Sequence, residues 1–406
     1  MRIIENMFKS ALGPVLLNIL VFGVIILIII TPFAVSMTLV GLVFLALLQV
    51  DRKKMMADIF DKCIKHKSAW ILSFSILLIL LPLVLSNNSY HIHILVMVCI
   101  YVMLALGLNF QMGSANMVNF AMAVFFGTGA YSSALLAVKF GINPWLSSAV
   151  GVVLALIIGY LIGIPTLKTR GYYLSLITLA LQTIFNQIII NTDAFGGPNG
   201  VAGVPAYSIM GHSFRKAVII FGIKFPYGIH YYYLAVLLVI IMTVIAVRLR
   251  NSRCGLSWNA VGEDESSAIC QGIDIPRVKL ISFCTGAAFA GAAGAVYGHY
   301  ISFIGPQDFD FMKSLIIICM VILGGMDNVS GVIMGAVFLT LIDEKLRVFS
   351  DFRMALYAGI LLITLLARPE GMIPKRVRDY KFAFTDSRIL KKIKSFELQK
   401  ETEGEE

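Results

Sequence analysis

A long part of this chain carries no charge: residues Ser68 to Val138 include no Asp, Glu, Lys or Arg. The whole sequence is 58% hydrophobic and 14% charged, whereas soluble domains have about 25% charged residues. Apolar runs of about 20 residues, long enough for a helix to cross a bilayer, recur along the chain. Because a membrane-spanning segment must satisfy its own backbone hydrogen bonds, these runs predict an all-α polytopic membrane protein.

The apolar runs divide into about ten to twelve transmembrane helices, some of them short or broken. The turn at Thr31-Pro32 and the glycine-containing break from Gly324 to Gly331 each affect the count. The candidate spans are Val15–Ile30, Phe33–Val50, Trp70–Leu85, Ile92–Phe110, Phe120–Val138, Trp145–Thr166, Tyr172–Ile190, Tyr231–Val247, Leu280–Ile301, Ser314–Met326, Val332–Leu346 and Met354–Ala367.

Basic residues gather between particular spans and predict the orientation of the chain. Clusters occur at residues 52–67, at Lys168 and Arg170, in the segment 248–279 and at residues 368–378. Basic loops of membrane proteins face the cytoplasm, and with twelve spans all four clusters and both termini fall on that side. The net charge of +10 is therefore explained by orientation in the cytoplasmic membrane and requires no nucleic-acid partner.

Residues 248–279 concentrate charge between two spans, and we name them the charged island. Its pattern predicts a short helix, a glycine turn and a capped membrane helix, in that order. A structured loop on the cytoplasmic side is suited to docking a partner, and an ordinary solvated loop is the alternative. We assign the start of the short helix to Glu263, Asp264 and Glu265, and its end to Gly272. We assign the cap of the membrane helix to Asp274.

The segment 191–230 is predicted to face outward. Within it, residues Phe195 to Pro205 hold four glycines and two prolines, which favours irregular structure. The loop either contacts an external partner or only connects two spans. The candidate contact residues are Gly196, Gly197, Asn199 and Gly200.

Polar side chains within the predicted spans are few, and the first seven spans contain no Asp or Glu. This argues against an ion-driven carrier, which places carboxylates in the membrane. Each amide either lines a substrate path or makes hydrogen bonds between helices. The candidate path residues are Asn109, Asn116, Asn119 and Gln182.

Two glycine-containing segments have similar patterns: residues Gly113–Gly127 and Gly324–Phe338 each place glycines and Asn just before an apolar run. This similarity predicts an internal repeat. Broken helices related by such a repeat are typical of transporters.

Several short motifs occur in a fixed order between Leu104 and Pro374. They are Ala105–Asn109, Gly127–Tyr131, Pro165–Tyr173, Gly196–Gly200, Glu263–Glu265, Gly272–Leu280, Leu323–Met326 and Arg368–Gly371. Together these motifs resemble the permease subunits of bacterial branched-chain amino-acid ABC importers, of the LivM type. The chain departs from the family pattern at Asn116, where glycine is common, and at Asp327–Asn328, which replaces a Gly-Ser type pair.

The resemblance implies a set of partners: a second related permease, two ATP-binding subunits, an extracytoplasmic substrate-binding protein and the surrounding membrane lipid. In such importers the acidic cluster and the following glycine dock on the ATP-binding subunit, and we assign this role to Glu263, Asp264, Glu265 and Gly272. ATP hydrolysis belongs to the partner subunits, so this chain is expected to be no enzyme. No phosphate-binding loop or metal-ligand cluster is evident in the sequence, and we expect no cofactor or metal site.

The expected function is passage of leucine, isoleucine and valine across the bacterial cytoplasmic (inner) membrane. The alternatives are the same importer class acting on urea, amides or other amino acids, or a stand-alone secondary carrier. The chain would then consist of three parts: residues 1–67, an N-terminal membrane extension with a basic cytoplasmic loop; residues 68–374, an ABC importer permease core; and residues 375–406, a polar cytoplasmic tail.

Overall fold

Helices dominate the part of the chain that the structure describes. The computed structural model describes residues 12–31, 35–36, 38, 67–85, 88–166, 172–209, 212–215, 218–220, 223–225, 228–347, 352, 355, 358–359, 362–363, 366 and 371–373. Its helices are α1 Leu12–Ile30, α2 Lys67–Val84, α3 Ser89–Asn109, α4 Met122–Lys139, α5 Pro144–Thr166, α6 Tyr172–Asn191, α7 Gly228–Arg250, α8 Arg253–Glu263, α9 Glu265–Cys270, α10 Ile275–Ile301, α11 Phe311–Gly324 and α12 Val329–Leu346.

Short helical turns and two-stranded ribbons complete the described structure. A π-helical segment, Phe110–Ser114, continues α3, and 3₁₀ turns form at Asp193–Phe195, Gly197–Asn199 and Pro306–Phe309. Three antiparallel pairs join β1 to β6, β2 to β3 and β4 to β5. The strands are β1 Val201–Ala202, β2 Ser208–Ile209, β3 His212–Ser213, β4 Val218–Ile220, β5 Ile223–Phe225 and β6 Phe303–Ile304.

Seven described helices are long and apolar enough to cross a membrane, which confirms the all-α polytopic class. These spans are Gly13–Ile30, Ser89–Ser114, Met122–Lys139, Pro144–Pro165, Tyr173–Asn191, Gly228–Arg250 and Ile275–Ile301. Helices α2, α11 and α12 also fall on predicted spans, although α11 has only 14 residues. The predicted spans Phe33–Val50 and Met354–Ala367, the basic loop near residue 60 and the tail after residue 375 lie wholly or largely outside the described residues.

Helix α10 is the centre of the bundle and packs along α4 and α5. Glycines allow this packing, because a Cβ at Gly129 would overlap the backbone of Gly291, and a Cβ at Gly294 would overlap the carbonyl oxygen of Phe126. Membrane helices gain no hydrophobic free energy from leaving lipid, so close approach of backbones through small residues is what holds them together.

The chain direction defines two ends of the bundle. Helix α7 runs from the loop 192–227 to the charged island, and α10 runs from the island back to residue 302. We call these the loop end and the island end. The two regions that the sequence singled out for partner contact therefore lie at opposite ends of the same two helices.

Candidate functional site

The charged island is an ordered structure built around a helix cap. The carboxylate of Asp264 accepts hydrogen bonds from the backbone N–H of Ser266 at 3.0 Å and from that of Ser267 at 3.3 Å, and from the Ser267 hydroxyl at 2.6 Å. These bonds, chiefly that of the Ser267 hydroxyl, lower the pKa of Asp264. The predicted start of the short helix is confirmed at Asp264 and Glu265, whereas Glu263 ends the preceding helix α8.

The glycine turn forms as the sequence predicts. Gly272 has φ +76°, its N–H donates to the carbonyl of Ile269 at 2.9 Å, and the N–H of Ile273 donates to the carbonyl of Ala268 at 3.1 Å. This pair of bonds is a Schellman ending. Asp274 then caps α10 through the N–H of Arg277.

Replacing Gly272 with alanine is expected to destabilise the turn by about 1 kcal/mol, because an L side chain is disfavoured at this positive φ. No atom of another described segment lies within 4 Å of the Cβ position at Gly272. The loss of stability therefore reflects backbone conformation alone. Hydrogen exchange of the Ile273 amide should become faster. Unchanged exchange in the alanine variant would contradict the assigned role of the turn.

Two contacts hold the short helices α8 and α9 of the island against the first turns of α10. Lys279 Nζ and Glu265 Oε1 form an ion pair at 2.6 Å, and the Lys279 side chain is only 5% exposed. The indole N–H of Trp258 donates to the carbonyl of Val278 at 2.9 Å, and its ring packs 5.4 Å from that of Phe110. Glu265 therefore serves the fold of the island directly, whatever it contributes to docking.

The exposed face of the island includes one residue that sequence reasoning missed. Glu263 and Asp264 are exposed, and Ile269 is 55% exposed although it is apolar. The structure buries Ala268 against Val261 and leaves the adjacent Ile269 exposed, an arrangement that the sequence did not signal. An exposed isoleucine beside two carboxylates is a surface suited to a protein partner.

The other candidate residues at the island end are held by protein atoms. Asn109 Oδ1 accepts from the backbone N–H of Asp327 at 2.9 Å, and Asn119 Nδ2 donates to Gln111 Oε1 at 2.6 Å. Asn116 Nδ2 donates to the carbonyl of Gly262 at 3.2 Å. These three amides lie around one break between α3 and α4.

Gln182 lies apart from that group. Its Nε2 donates to the carbonyl of Phe309 at 2.7 Å, and its Oε1 accepts from the Ser314 hydroxyl at 3.4 Å. Asn109, Asn116 and Gln182 thus bond to distant segments, as the alternative interpretation has it, whereas Asn119 bonds to Gln111 within its own break. A role of any of the four in the substrate path stays a prediction.

The two segments of the predicted repeat have matching backbone features. Asn116 and Asp327 occupy the same position in the two sequences and have φ +53° and +60°. The segments meet directly, because the Ser114 hydroxyl donates to Asp327 Oδ1 at 2.6 Å.

The glycine-rich loop at the other end has the irregular structure that its composition predicts. Gly196, Gly197 and Gly200 all have positive φ, between +54° and +86°. The loop is tied to α10, since His299 Nδ1 lies 2.7 Å from the Pro205 carbonyl and β1 pairs with β6. Asn199 is exposed beside the glycines.

Comparison with known proteins identifies the family. Residues 90–367 match the model of the family described as branched-chain amino acid transport system / permease component. The chain belongs to this family. The matched permease region includes the island, both helix breaks and the loop, whereas residues 1–67 lie outside it.

Individual permeases of this family show the same relationship. The chain is 32% identical over 285 residues to the high-affinity branched-chain amino acid transport system permease protein LivM of Escherichia coli (strain K12), covering 67% of each chain. It is 24% identical over 287 residues to LivH of the same organism, covering 67% of this chain and 90% of LivH. A probable LivM of Methanocaldococcus jannaschii is 22% identical over 327 residues, with 68% and 90% coverage. No solved structure matches the chain.

Proposed function

We propose that this chain is the permease subunit of an ATP-driven importer that moves leucine, isoleucine and valine across the bacterial cytoplasmic membrane. The family match and the identity to LivM support this assignment. The single structural observation that carries this assignment is the charged island between two spans. Its short helix is capped by Asp264 and is held by the ion pair of Glu265 with the buried Lys279. Its exposed carboxylates and exposed isoleucine form a surface that a cytoplasmic partner can contact.

The proposed assembly has four kinds of partner contact. A second permease related to LivH pairs with this chain, two ATP-binding subunits act from the cytoplasm, and an extracytoplasmic binding protein delivers the amino acid. Membrane lipid surrounds the spans. ATP hydrolysis takes place in the ATP-binding subunits, and this chain supplies the path and the docking surface. Both termini lie in the cytoplasm in this arrangement.

We assign docking of the ATP-binding subunit to the exposed face of the island. Glu263 and Asp264 supply negative charge and Ile269 supplies an apolar contact. Gly272 and Glu265 support this face, Gly272 through the Schellman turn and Glu265 through its ion pair with Lys279. The surface on the partner should be basic with an apolar centre.

The docking assignment can be tested by removing charge without removing the helix cap. Asparagine caps helices about as well as aspartate does, so the double change Glu263→Gln and Asp264→Asn keeps one capping oxygen at the start of α9 while it removes both charges. We expect association of the ATP-binding subunits to weaken about tenfold or more, measured by co-purification and titration with the assembled membrane subunits. Ile269→Ser should act in the same direction.

Asp310→Asn is the matched control, since Asp310 caps α11 through the N–H of Lys313 and lies outside the island. Unchanged association and unchanged ATP hydrolysis in the double variant would rule out the docking role. Transport of leucine by this chain in liposomes without ATP-binding subunits would instead indicate a stand-alone carrier.

A further inference from the structure

The charged island contacts more than the two helices that flank it. The carbonyl of Gly262, near the end of α8, accepts a hydrogen bond from Asn116, which lies in the break between α3 and α4. A Cβ at Gly262 would lie 2.7 Å from the carbonyl oxygen of Ser114, so the backbones of island and break are in close contact. Trp258 packs on Phe110, the first residue of the π-helical segment.

The first break is in turn joined to the second, between α11 and α12. Asp327 in that second break is fully buried. Its Oδ1 accepts from the Ser114 hydroxyl at 2.6 Å, and its backbone N–H donates to Asn109 Oδ1 at 2.9 Å. A Cβ at Gly113 would overlap the backbone of Asp327, so no intervening side chain separates the two breaks.

The backbone at each break includes a residue with positive φ, a conformation that residues other than glycine adopt only at a cost in free energy. Among the described residues only Asn116, Ser302 and Asp327 have positive φ without being glycine, and two of the three are in this cluster. Such a conformation persists where the surroundings over-determine it. Here the surroundings include the hydrogen bonds that the two side chains make, and glycine would make neither of them.

The segment beneath the island is also a local expansion of a helix. Residues 110–114 are π-helical, with the N–H of Ala115 bonded to the carbonyl of Phe110 at 3.2 Å. A π segment within an α-helix is rare and occurs frequently at functional sites. In this chain it lies between the island, through Phe110, and the second break, through Ser114.

We propose that Asp327 is a positioning residue for transport, which holds the two helix breaks together so that a movement of the charged island reaches both of them. The path runs from Gly262 to Asn116 in the first break, and from Ser114 to Asp327 in the second. The inference rests on the proposed function, since it requires the ATP-binding subunit to act at the island. It predicts that loss of the Asp327 carboxylate separates ATP hydrolysis from transport.

The test is Asp327→Gly in the complete transporter, reconstituted with the binding protein and leucine in liposomes. Glycine accepts φ +60° without strain, so the variant should assemble and should hydrolyse ATP at the unstimulated rate of the wild type. We expect leucine transported per ATP hydrolysed to fall about fivefold or more. Asp327→Asn keeps an acceptor for the Ser114 hydroxyl and should restore most of the coupling.

Ser302→Gly is the matched control, because Ser302 has φ +64° but lies at the loop end, and its glycine variant should couple as the wild type does. A second variant, Ser114→Ala, removes the donor and should reproduce the loss. Thr340→Val is its control, since the Thr340 hydroxyl donates within α12, to the carbonyl of Ala336.

The outcomes separate the two proposals. If the wild-type complex transports leucine without ATP, the proposed function fails. If the wild type couples transport to ATP and both Asp327→Gly and Ser114→Ala couple equally well, the role of Asp327 is overturned. If Asp327→Gly does not assemble, Ser114→Ala decides: normal coupling in that variant also overturns the inference, and uncoupling supports it.

Discussion

Replacing Gly294 with alanine, a gain of one methyl group, is expected to destabilise the membrane bundle by about 3 kcal/mol or more. The added Cβ would overlap the carbonyl oxygen of Phe126 and would lie 2.9 Å from the backbone nitrogen of Ala130. Both obstacles are backbone atoms of α4, so no side-chain rotation relieves the overlap. Helices α4 and α10 would have to move apart along their contact.

The measurement is thermal unfolding of the purified protein in detergent, together with its yield as a monodisperse species. Gly23→Ala is the matched control, because Gly23 is also in a membrane helix and no atom of another described segment lies within 4 Å of its Cβ position. That variant should be as stable as the wild type or slightly more so, since alanine is the better helix former. Equal melting temperatures for the two variants would show that α4 and α10 do not pack as described.

Replacing Trp258 with alanine is expected to detach the charged island from the bundle while the spans stay folded. Trp258 is 1% exposed, and truncating a buried tryptophan costs about 3–5 kcal/mol. The change also removes the hydrogen bond of 2.9 Å that the indole N–H donates to the carbonyl of Val278. Because the stability lost is local, hydrogen exchange should accelerate in α8 and α9 and remain slow in α4 and α10.

Two further variants distinguish the contributions of packing and hydrogen bonding. Trp258→Phe keeps an aromatic ring against Phe110 and loses only the donor, so a cost of about 1–3 kcal/mol is expected. Leu256→Ala, on the exposed side of α8, should leave exchange in the island unchanged. Uniform acceleration throughout the bundle in Trp258→Ala would contradict the view that the island is a separable unit.

The sequence predicted the parts of the island that depend on near neighbours. The cap at Asp264, the turn at Gly272 and the cap at Asp274 each follow from residues within a few positions, because helix ends are completed by local side chains and backbone groups. The membrane class followed from composition for a similar reason. Each span satisfies its backbone hydrogen bonds internally.

Long-range contacts could not be predicted in the same way. Ser114 and Asp327 are 213 positions apart, and no sequence pattern at either position predicts contact with the other. Asn109 was a candidate for the substrate path on its polarity alone, whereas the structure shows it accepting the N–H of Asp327. The close approach of Gly294 to Phe126 depends on how two helices cross, which a count of glycines does not determine.

Helix α10 extends without interruption from the Asp274 cap to Ile301, a run of 27 residues and about 40 Å. Its only proline lies in the first turn, so no proline interrupts the helix beyond that turn. Val278 near its start accepts a hydrogen bond from Trp258 of the island, and His299 near its end contacts the carbonyl of Pro205 in the glycine-rich loop. One continuous helix therefore links the island mechanically to the glycine-rich loop, so that a displacement at one end has a direct covalent route to the other.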